Sequence, residues 1–339
     1  MMIISRLRHL RLLLVFVMIF PGFALADKDV ISHWLDRMSQ ASQELSYKGR
    51  FVHSRDGNTS LLEIVHVVTQ DGSRERIVSL SGEDQELIRD QQGNVFLMNL
   101  GPPLLIDRGS PDIPLAVRIQ QNLESVLKNY YFELGAADRV AGRKTQIVSI
   151  LPRDQQRYSY RLWVDSQTGF LIRSELVGEQ NEILEHIMFS DIELMQEASA
   201  ELLDAVLHDR DLLAKSEALN ATKPISASGK SDVWQVAGKP SGFWRTNNDE
   251  SLLLSAKKSV VYLMLTDGLA SVSIYIEPIK NSSKVLEGAS RSGALSAYGR
   301  VLDKHQITVV GEVPPVTVKA IGDAVTRSTM SLNAPSVKH

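Results

Sequence analysis

Arg157-Tyr-Ser-Tyr-Arg-Leu-Trp-Val-Asp165-Ser-Gln-Thr-Gly169-Phe-Leu-Ile-Arg-Ser-Glu175 is a β-hairpin spelled out in residues. Tyr158, Tyr160, Leu162 and Val164 alternate with Ser159, Arg161, Trp163 and Asp165, the period of a half-buried strand. Ser166-Gln-Thr-Gly169 then turns the chain, with a glycine that takes positive φ at no steric cost. The apolar run Phe170–Val177 returns beside the first strand. Tyr158, Tyr160, Trp163 and Phe170 concentrate rings here in a chain with only 6% aromatic residues. Such rings either fill a core or line a ligand-holding concavity, and alternation alone leaves both open.

Outward from this hairpin the pattern stays antiparallel. Upstream, Tyr47–Ser54, Leu61–Thr69, Arg74–Leu80, Glu86–Asp90 and Val95–Asn99 read as short strands. Asp56-Gly57-Asn58, Asp71-Gly72, Ser81-Gly82 and Gln92-Gly93-Asn94 separate them, as hairpin turns do. Before them, Val30, Ile31, Trp34, Leu35, Met38, Ala41 and Leu45 recur at helical spacing, predicting an amphipathic helix across one face of the meander. Gly101–Pro114 holds four prolines and reads as an irregular loop, in the position of a lid or access flap. A helix is expected at Gln121–Tyr130, strands at Lys144–Leu151 and Glu182–Glu193, and a short helix at Ala198–Leu207. The sum is an α+β unit: a curved antiparallel sheet with helices on one side.

Residues 209–231 are polar and unpatterned, a linker. A smaller α+β unit follows over 232–327, with strands near Lys258–Thr266, Ala270–Glu277 and Gln306–Gly311. Asp267-Gly268 joins the first two of these strands, and a Ser/Gly-rich loop is expected at Asn281–Gly293. Pro314-Pro315 opens a helix with Val318, Ile321 and Val325 as its buried stripe. Residues 328–339 carry no pattern and read as a disordered tail.

The first 26 residues set the compartment. Arg6, Arg8 and Arg11 precede the apolar run Leu12–Phe20, and Ala24-Leu25-Ala26 is a small-x-small cleavage site before Asp27. That run is shorter than the ~20 residues a bilayer needs, so a removed signal peptide is expected, with an exported chain of 27–208 as the first domain. Losing three arginines takes the formal charge from −3 to −6. Such a field disfavours general nucleic-acid binding. The absence of cysteine excludes a lipid-attachment cysteine, thiol catalysis and cysteine zinc sites.

No motif makes an enzyme. Ser125-Val-Leu-Lys128 matches Ser-x-x-Lys without its partner motifs, and paired carboxylates such as Glu83-Asp84 and Asp249-Glu250 sit in polar turns. His53, His66 and His186 lack the spacing of a metal motif, so no metal and no cofactor are expected. Binding is the better reading, because Ile147-Val148, Ile150-Leu151 and Phe96-Leu97-Met98 are apolar on both strand faces. Either a second domain covers the spare face or the concavity holds an apolar ligand. Trp34, Leu35, Phe51, Phe96, Met98, Tyr160 and Leu162 are the candidate lining. Arg50, Arg74, Arg76, Arg89, Arg157 and Arg161 recur along the strands, as phosphate-binding forks or as soluble strand edges.

Several stretches together resemble the RseB/MucB family. They are Leu134-Gly135 through Asp138-Arg-Val-Ala-Gly-Arg143, Arg157–Asp165 with Thr168 and Arg173, and Glu182–Glu185. In the second unit they are Pro240-x-Gly-Phe243 and Val310-Gly-Glu-Val-Pro-Pro315 with Thr317 and Lys319. The resemblance runs over Asp27–Arg327; the tail beyond it and the proline-poor Trp234–Ala237 depart from the pattern. It implies a half-open barrel similar to the lipoprotein carriers LolA and LolB, with helices in its mouth, followed by a smaller C-terminal domain. It further implies a periplasmic regulator of the envelope-stress sigma factor sigma-E. Such a protein would bind the periplasmic domain of an RseA/MucA-like anti-sigma factor, shield it from site-1 proteolysis, and release it on meeting lipid or lipopolysaccharide. Homodimerisation is implied by the resemblance alone. The alternative is a LolA-like carrier of lipoprotein or lipid, although a simple carrier needs only the first domain.

Overall fold

The computed structural model describes residues 28–89, 95–98, 104–107, 115–199, 202, 234–246, 260–279 and 285–327, with backbone alone at 95–98 and 104–107. Helix α1 (Lys28–Glu44) buries Ile31, Leu35, Met38 and Ala41, the stripe that helical spacing places on one side. It is followed by β1 (Ser46–Arg55), β2 (Asn58–Thr69), β3 (Gly72–Ser79), β4 (Glu86–Arg89), β5 (Val95–Met98) and β6 (Leu104–Asp107). Helices α2 (Leu115–Gln121) and α3 (Leu123–Asn129) lead into β7 (Tyr130–Val140), β8 (Arg143–Pro152), β9 (Ser159–Asp165), β10 (Leu171–Val177) and β11 (Ile183–Met195). These strands form one open sheet of eleven, in the order β6-β5-β4-β3-β2-β1-β11-β10-β9-β8-β7. Register shifts at Arg50/Phe51, Leu134/Ala137 and Leu171/Arg173 break the ladders and bend the sheet.

The opening hairpin is β9–β10. Leu162 and Val164 join α1 in a buried cluster with Val148 and Ile150, so the helix lies over that face of β8 and β9. On the other face, Glu175 is sealed between Arg161 (2.9 Å) and Arg173, and the Arg173 guanidinium lies 4.0 Å from the Trp163 ring centroid. The turn is built by Asp165. Its carboxylate accepts from Thr168 N (2.7 Å), Thr168 Oγ1 (2.8 Å) and Gln167 N (3.0 Å) on one oxygen and from Arg143 Nε (2.7 Å) on the other. Gly169 has φ +83°, and a Cβ there would lie 2.6 Å from the Arg37 carbonyl of α1. Arg37 in turn donates to the carbonyls of Ser166 and Gln167. Turn and helix are therefore locked to each other.

The second domain holds β12 (Trp234–Val236), β13 (Trp244–Arg245), β14 (Val261–Thr266), β15 (Ser271–Pro278), β16 (Gly288–Ser292), β17 (Leu295–Leu302) and β18 (His305–Gly311). Helix α4 (Pro315–Ala324) and β19 (Val325–Arg327) complete it. Six strands pair in the order β13-β14-β15-β18-β17-β16, with β12 and β19 as a separate pair. Val318 and Ile321 of α4 pack with Leu263, Leu265, Ile274, Ile276, Ile307 and Val309 from the sheet and with Trp234 and Phe243.

Four expectations are corrected. Gly101–Pro114 is not wholly irregular: Leu104–Asp107, the proline-free centre, pairs with β5 as β6 at the sheet edge, where prolines are tolerated nearby. The helix expected at Gln121–Tyr130 is two helices broken at Asn122, whose side chain turns back to the Arg118 carbonyl, and Tyr130 already belongs to β7. Strand β7 itself was not expected, because its C-terminal half (Gly135–Arg139) carries small and charged residues and is bulged. The expected loop at Asn281–Gly293 contains edge strand β16, followed by β17; their small residues hide the strand pattern. The expected helix at Ala198–Leu207, the linker 209–231, the tail 328–339 and the signal peptide fall largely or wholly outside the described residues.

Burial alone would raise the Asp165 carboxyl, but the bonds from Arg143 and Thr168 outweigh it and hold its pKa below the ordinary range. A lowered folded pKa contributes stability that is present above the unfolded value and is lost as pH falls through the folded one. Asp165→Asn is therefore expected to cost about 2 kcal/mol in urea unfolding at neutral pH, as charge-assisted bonds do. The gap from the wild type should narrow as pH falls below ~4, where the unfolded carboxyl protonates, and be smallest at the lower pH where the folded one does.

Candidate functional site

Just before β9, the turn Asp154–Gln156 delivers Arg157 into the space between the two domains. Its side chain is wholly buried, and all three nitrogens are engaged. Nε donates to Asp267 Oδ2 at 2.5 Å, Nη1 to Asp154, and Nη2 to the Ser241 carbonyl at 2.6 Å. The guanidinium also lies 4.7 Å from the Phe243 ring centroid and 5.8 Å from that of Tyr130. Three of these five partners belong to the second domain.

Asp267 sits at the tip of the β14–β15 hairpin and is as buried as its partner. One carboxylate oxygen shapes the tip by accepting from Leu269 N (2.9 Å) and Ala270 N (2.8 Å). The other receives Arg157 and the Tyr130 hydroxyl (3.0 Å), which comes from the junction of α3 and β7. Burial and the Asp267 carboxylate push the Tyr130 hydroxyl well above its ordinary pKa, so it remains a donor. Burial pulls the Arg157 pKa down, and Asp267 more than restores it, so the cation persists. Gly268 follows with φ +96°, and a Cβ there would lie 2.6 Å from Asn122 Cβ. Backbone conformation and close approach both require glycine at this tip.

The tip carries Leu269 into the N-terminal domain. Leu269 is 1% exposed and belongs to the cluster of Ile31, Leu35, Ile119, Val126, Tyr130 and Leu162, among the described residues the only member from the second domain. A second apolar contact joins Ala294 to Tyr158, Leu176 and Leu184. A polar ring surrounds both: Arg55 to Glu312 (2.9 Å), Arg291 to Glu182 (3.0 Å), Ser292 to Asp56, and Thr317 Oγ1 to the Gln156 carbonyl (2.8 Å). The two domains thus meet across an interface with a buried, hydrogen-bonded centre and a partly exposed polar rim.

The candidate lining divides. Leu35 and Leu162 are fully buried in the Leu269 cluster, with Trp34 and Tyr160 half-buried against it. Tyr160 also reaches the Ala294 cluster. Phe51 lies elsewhere, packed with Phe189 (ring centroids 5.6 Å apart) among Phe170, Ile64 and Ile172. Phe96 and Met98 are on β5, whose side chains lie outside the described residues. Of the six strand arginines, Arg50, Arg76, Arg157 and Arg161 face carboxylates: Glu63, Glu86, Asp267 and Glu175. Arg74 stands opposite Val67 and Arg89 opposite Glu75 in the register.

Lys128 pairs with Glu124 one turn back on an exposed face and not with Ser125. His53 bonds Glu185 at 2.8 Å, while His66 stacks on Tyr47 with ring centroids 4.9 Å apart. Among the described residues no cluster of histidines and acids could hold a metal ion, and no helix is long and apolar enough to cross a membrane.

Fold and interface define a two-domain α+β protein whose working parts are an apolar, helix-covered sheet and a second domain seated on it. Comparison with known proteins places it further. The chain belongs to the MucB/RseB family: the model of the MucB/RseB N-terminal domain matches residues 31–207 and that of the C-terminal domain residues 228–326. It is 31% identical to the sigma factor AlgU regulatory protein MucB of Pseudomonas aeruginosa, over 93% of this chain and 96% of that one. It is 25% identical to the sigma-E factor regulatory protein RseB of Haemophilus influenzae, over 90% and 93%. Among solved structures, the complex of Pseudomonas aeruginosa MucA and MucB contains a chain that superposes with a TM-score of 0.66 at 27% identity, covering 88% of this chain and 99% of that one.

Removing one member of a buried ion pair strands the other, at a cost of ~3–5 kcal/mol. Arg157→Met and Asp267→Leu are each expected to lose that much in chemical denaturation. The double variant should recover most of it. Additive losses would mean that the two side chains are not coupled.

Proposed function

We propose that this chain is a periplasmic negative regulator of a sigma-E-type envelope stress response. It binds the periplasmic domain of a MucA/RseA-like anti-sigma factor, shields it from site-1 proteolysis, and lets go when it takes up lipid. The observation that carries this reading is continuous likeness to MucB and RseB regulatory proteins across both domains, including a chain of the MucA/MucB complex. The basic, apolar first 26 residues support export, with cleavage before Asp27, and 27–208 and 232–327 are the proposed domain limits around a linker at 209–231.

The lipid site we assign to the apolar surface between α1 and the sheet, at Trp34, Leu35, Tyr160 and Leu162. The anti-sigma peptide we assign to the second domain and the edge of the interface, where the partly exposed pairs Glu182–Arg291 and Arg55–Glu312 present charge of both signs. A carrier of LolA type would need only the first domain; here the second is tied into the first through a buried ion pair, which favours regulation.

Coupling between two ligands is reciprocal and typically amounts to 1–3 kcal/mol. Calorimetric titration of the purified chain with a MucA/RseA-like periplasmic domain should show a ~5–150-fold loss of affinity at saturating lipopolysaccharide. Equal affinity with and without lipid would remove the sensing half of the proposal, and no binding at all would remove the first.

A further inference from the structure

The centre of the surface that would hold an acyl chain is already covered, with Trp34 and Tyr160 half-buried at its margin. Leu35 and Leu162 are both fully buried, and among the described residues the one that joins their cluster from outside the N-terminal domain is Leu269. Packed interiors leave no room for an added chain, so a ligand must displace something. Helix α1 is held to the β9–β10 turn by Arg37, and α2 and α3 run directly into β7. Leu269 stands on a hairpin tip with no chain continuity to the domain it enters, and its polar hold there is the contact of Asp267 with Arg157 and Tyr130.

We infer that the space occupied by Leu269, among Leu35, Ile119, Val126, Tyr130 and Leu162, is the acyl subsite, and that Leu269 is its resident plug. This rests on the lipid reading given above. An acyl chain entering there expels the tip. The tip carries Asp267, so expulsion separates Asp267 from Arg157 and Tyr130 and frees the second domain. Lipid is thereby sensed as a competitor for one leucine's place, and the buried ion pair is the latch that this competition opens.

Two variants of the full mature chain test it, with dansyl-labelled undecanoic acid as the probe, read by fluorescence. Leu269→Ala should bind the probe at least several-fold tighter than the wild type. Asp56→Cys with Ser292→Cys introduces the chain's only thiols at a cross-domain contact, so its disulfide ties the domains together reversibly. Oxidised protein should bind the probe at least ten-fold more weakly than the same protein after reduction. Displacement of bound probe by lysophosphatidylglycerol or by a triacylated lipopeptide supports an acyl subsite and identifies which source supplies the chain; displacement by neither overturns it. If the wild type binds the probe but neither variant alters affinity, the plug is wrong and the lipid reading stands. If neither the wild type nor the reduced double-cysteine protein binds the probe, the lipid reading fails and the plug with it.

Discussion

The arrangement of this protein depends on the ion pair of Arg157 with Asp267. Two opposite charges share a site from which water is excluded, one from each domain. Desolvating them costs several kcal/mol per ion, and only good geometry recovers it. That geometry is supplied from both sides: Asp154 and the Ser241 carbonyl take the other guanidinium nitrogens, and the tip's own amides and Tyr130 occupy the carboxylate. A pair of this kind adds little net stability compared with apolar residues of the same shape. It adds orientation, because both charges find their partners in this docking of the two domains.

The rest of the interface follows from that constraint. With Asp267 fixed against Arg157, the hairpin can bend only as Gly268 does, and Leu269 must enter the cluster under α1. Thr317 at the start of α4 meets Gln156, the residue beside Arg157, so the second domain's helix is registered to the same turn. The outer pairs, Arg55–Glu312 and Arg291–Glu182, are partly exposed and individually weak. They orient the domains without holding them shut.

Much of the scaffold was legible because periodicity reports which face a residue occupies. Tyr160, Leu162 and Val164 alternate, and all three lie on the helix-covered side or against it; Asp165 and Gly169 make the turn that their chemistry demands. What periodicity does not report is what covers a face. Leu35 and Phe51 both read as inward apolar residues, yet they belong to separate clusters. Arg157 read as a phosphate fork or a strand-edge charge, because nothing local distinguishes it from Arg161; its partner is 110 residues away. Asp267-Gly268 read correctly as a turn, and a turn is where one would expect solvent, so Leu269 drew no notice. Strands β16 and β17 were obscured for a steric reason: at Gly299 a Cβ would press on the Leu286 carbonyl, so the pattern there must be small.

A latch made of charge behaves differently from one made of apolar surface. An apolar interface of equal area would resist separation at every point of the approach, and a lipid would have to replace all of it. Here the polar groups are bonded within a few residues of one another, and water can satisfy them once the tip is out, since Asp154 is already part-exposed beside them. The barrier to opening is therefore concentrated in the desolvated pair and the single leucine ahead of it. Because Asp267 and Leu269 are two residues apart on a tip shaped by the Asp267 carboxylate itself, neither can leave its place alone. Apolar occupancy on one side of that tip and electrostatic pairing on the other are one mechanical event.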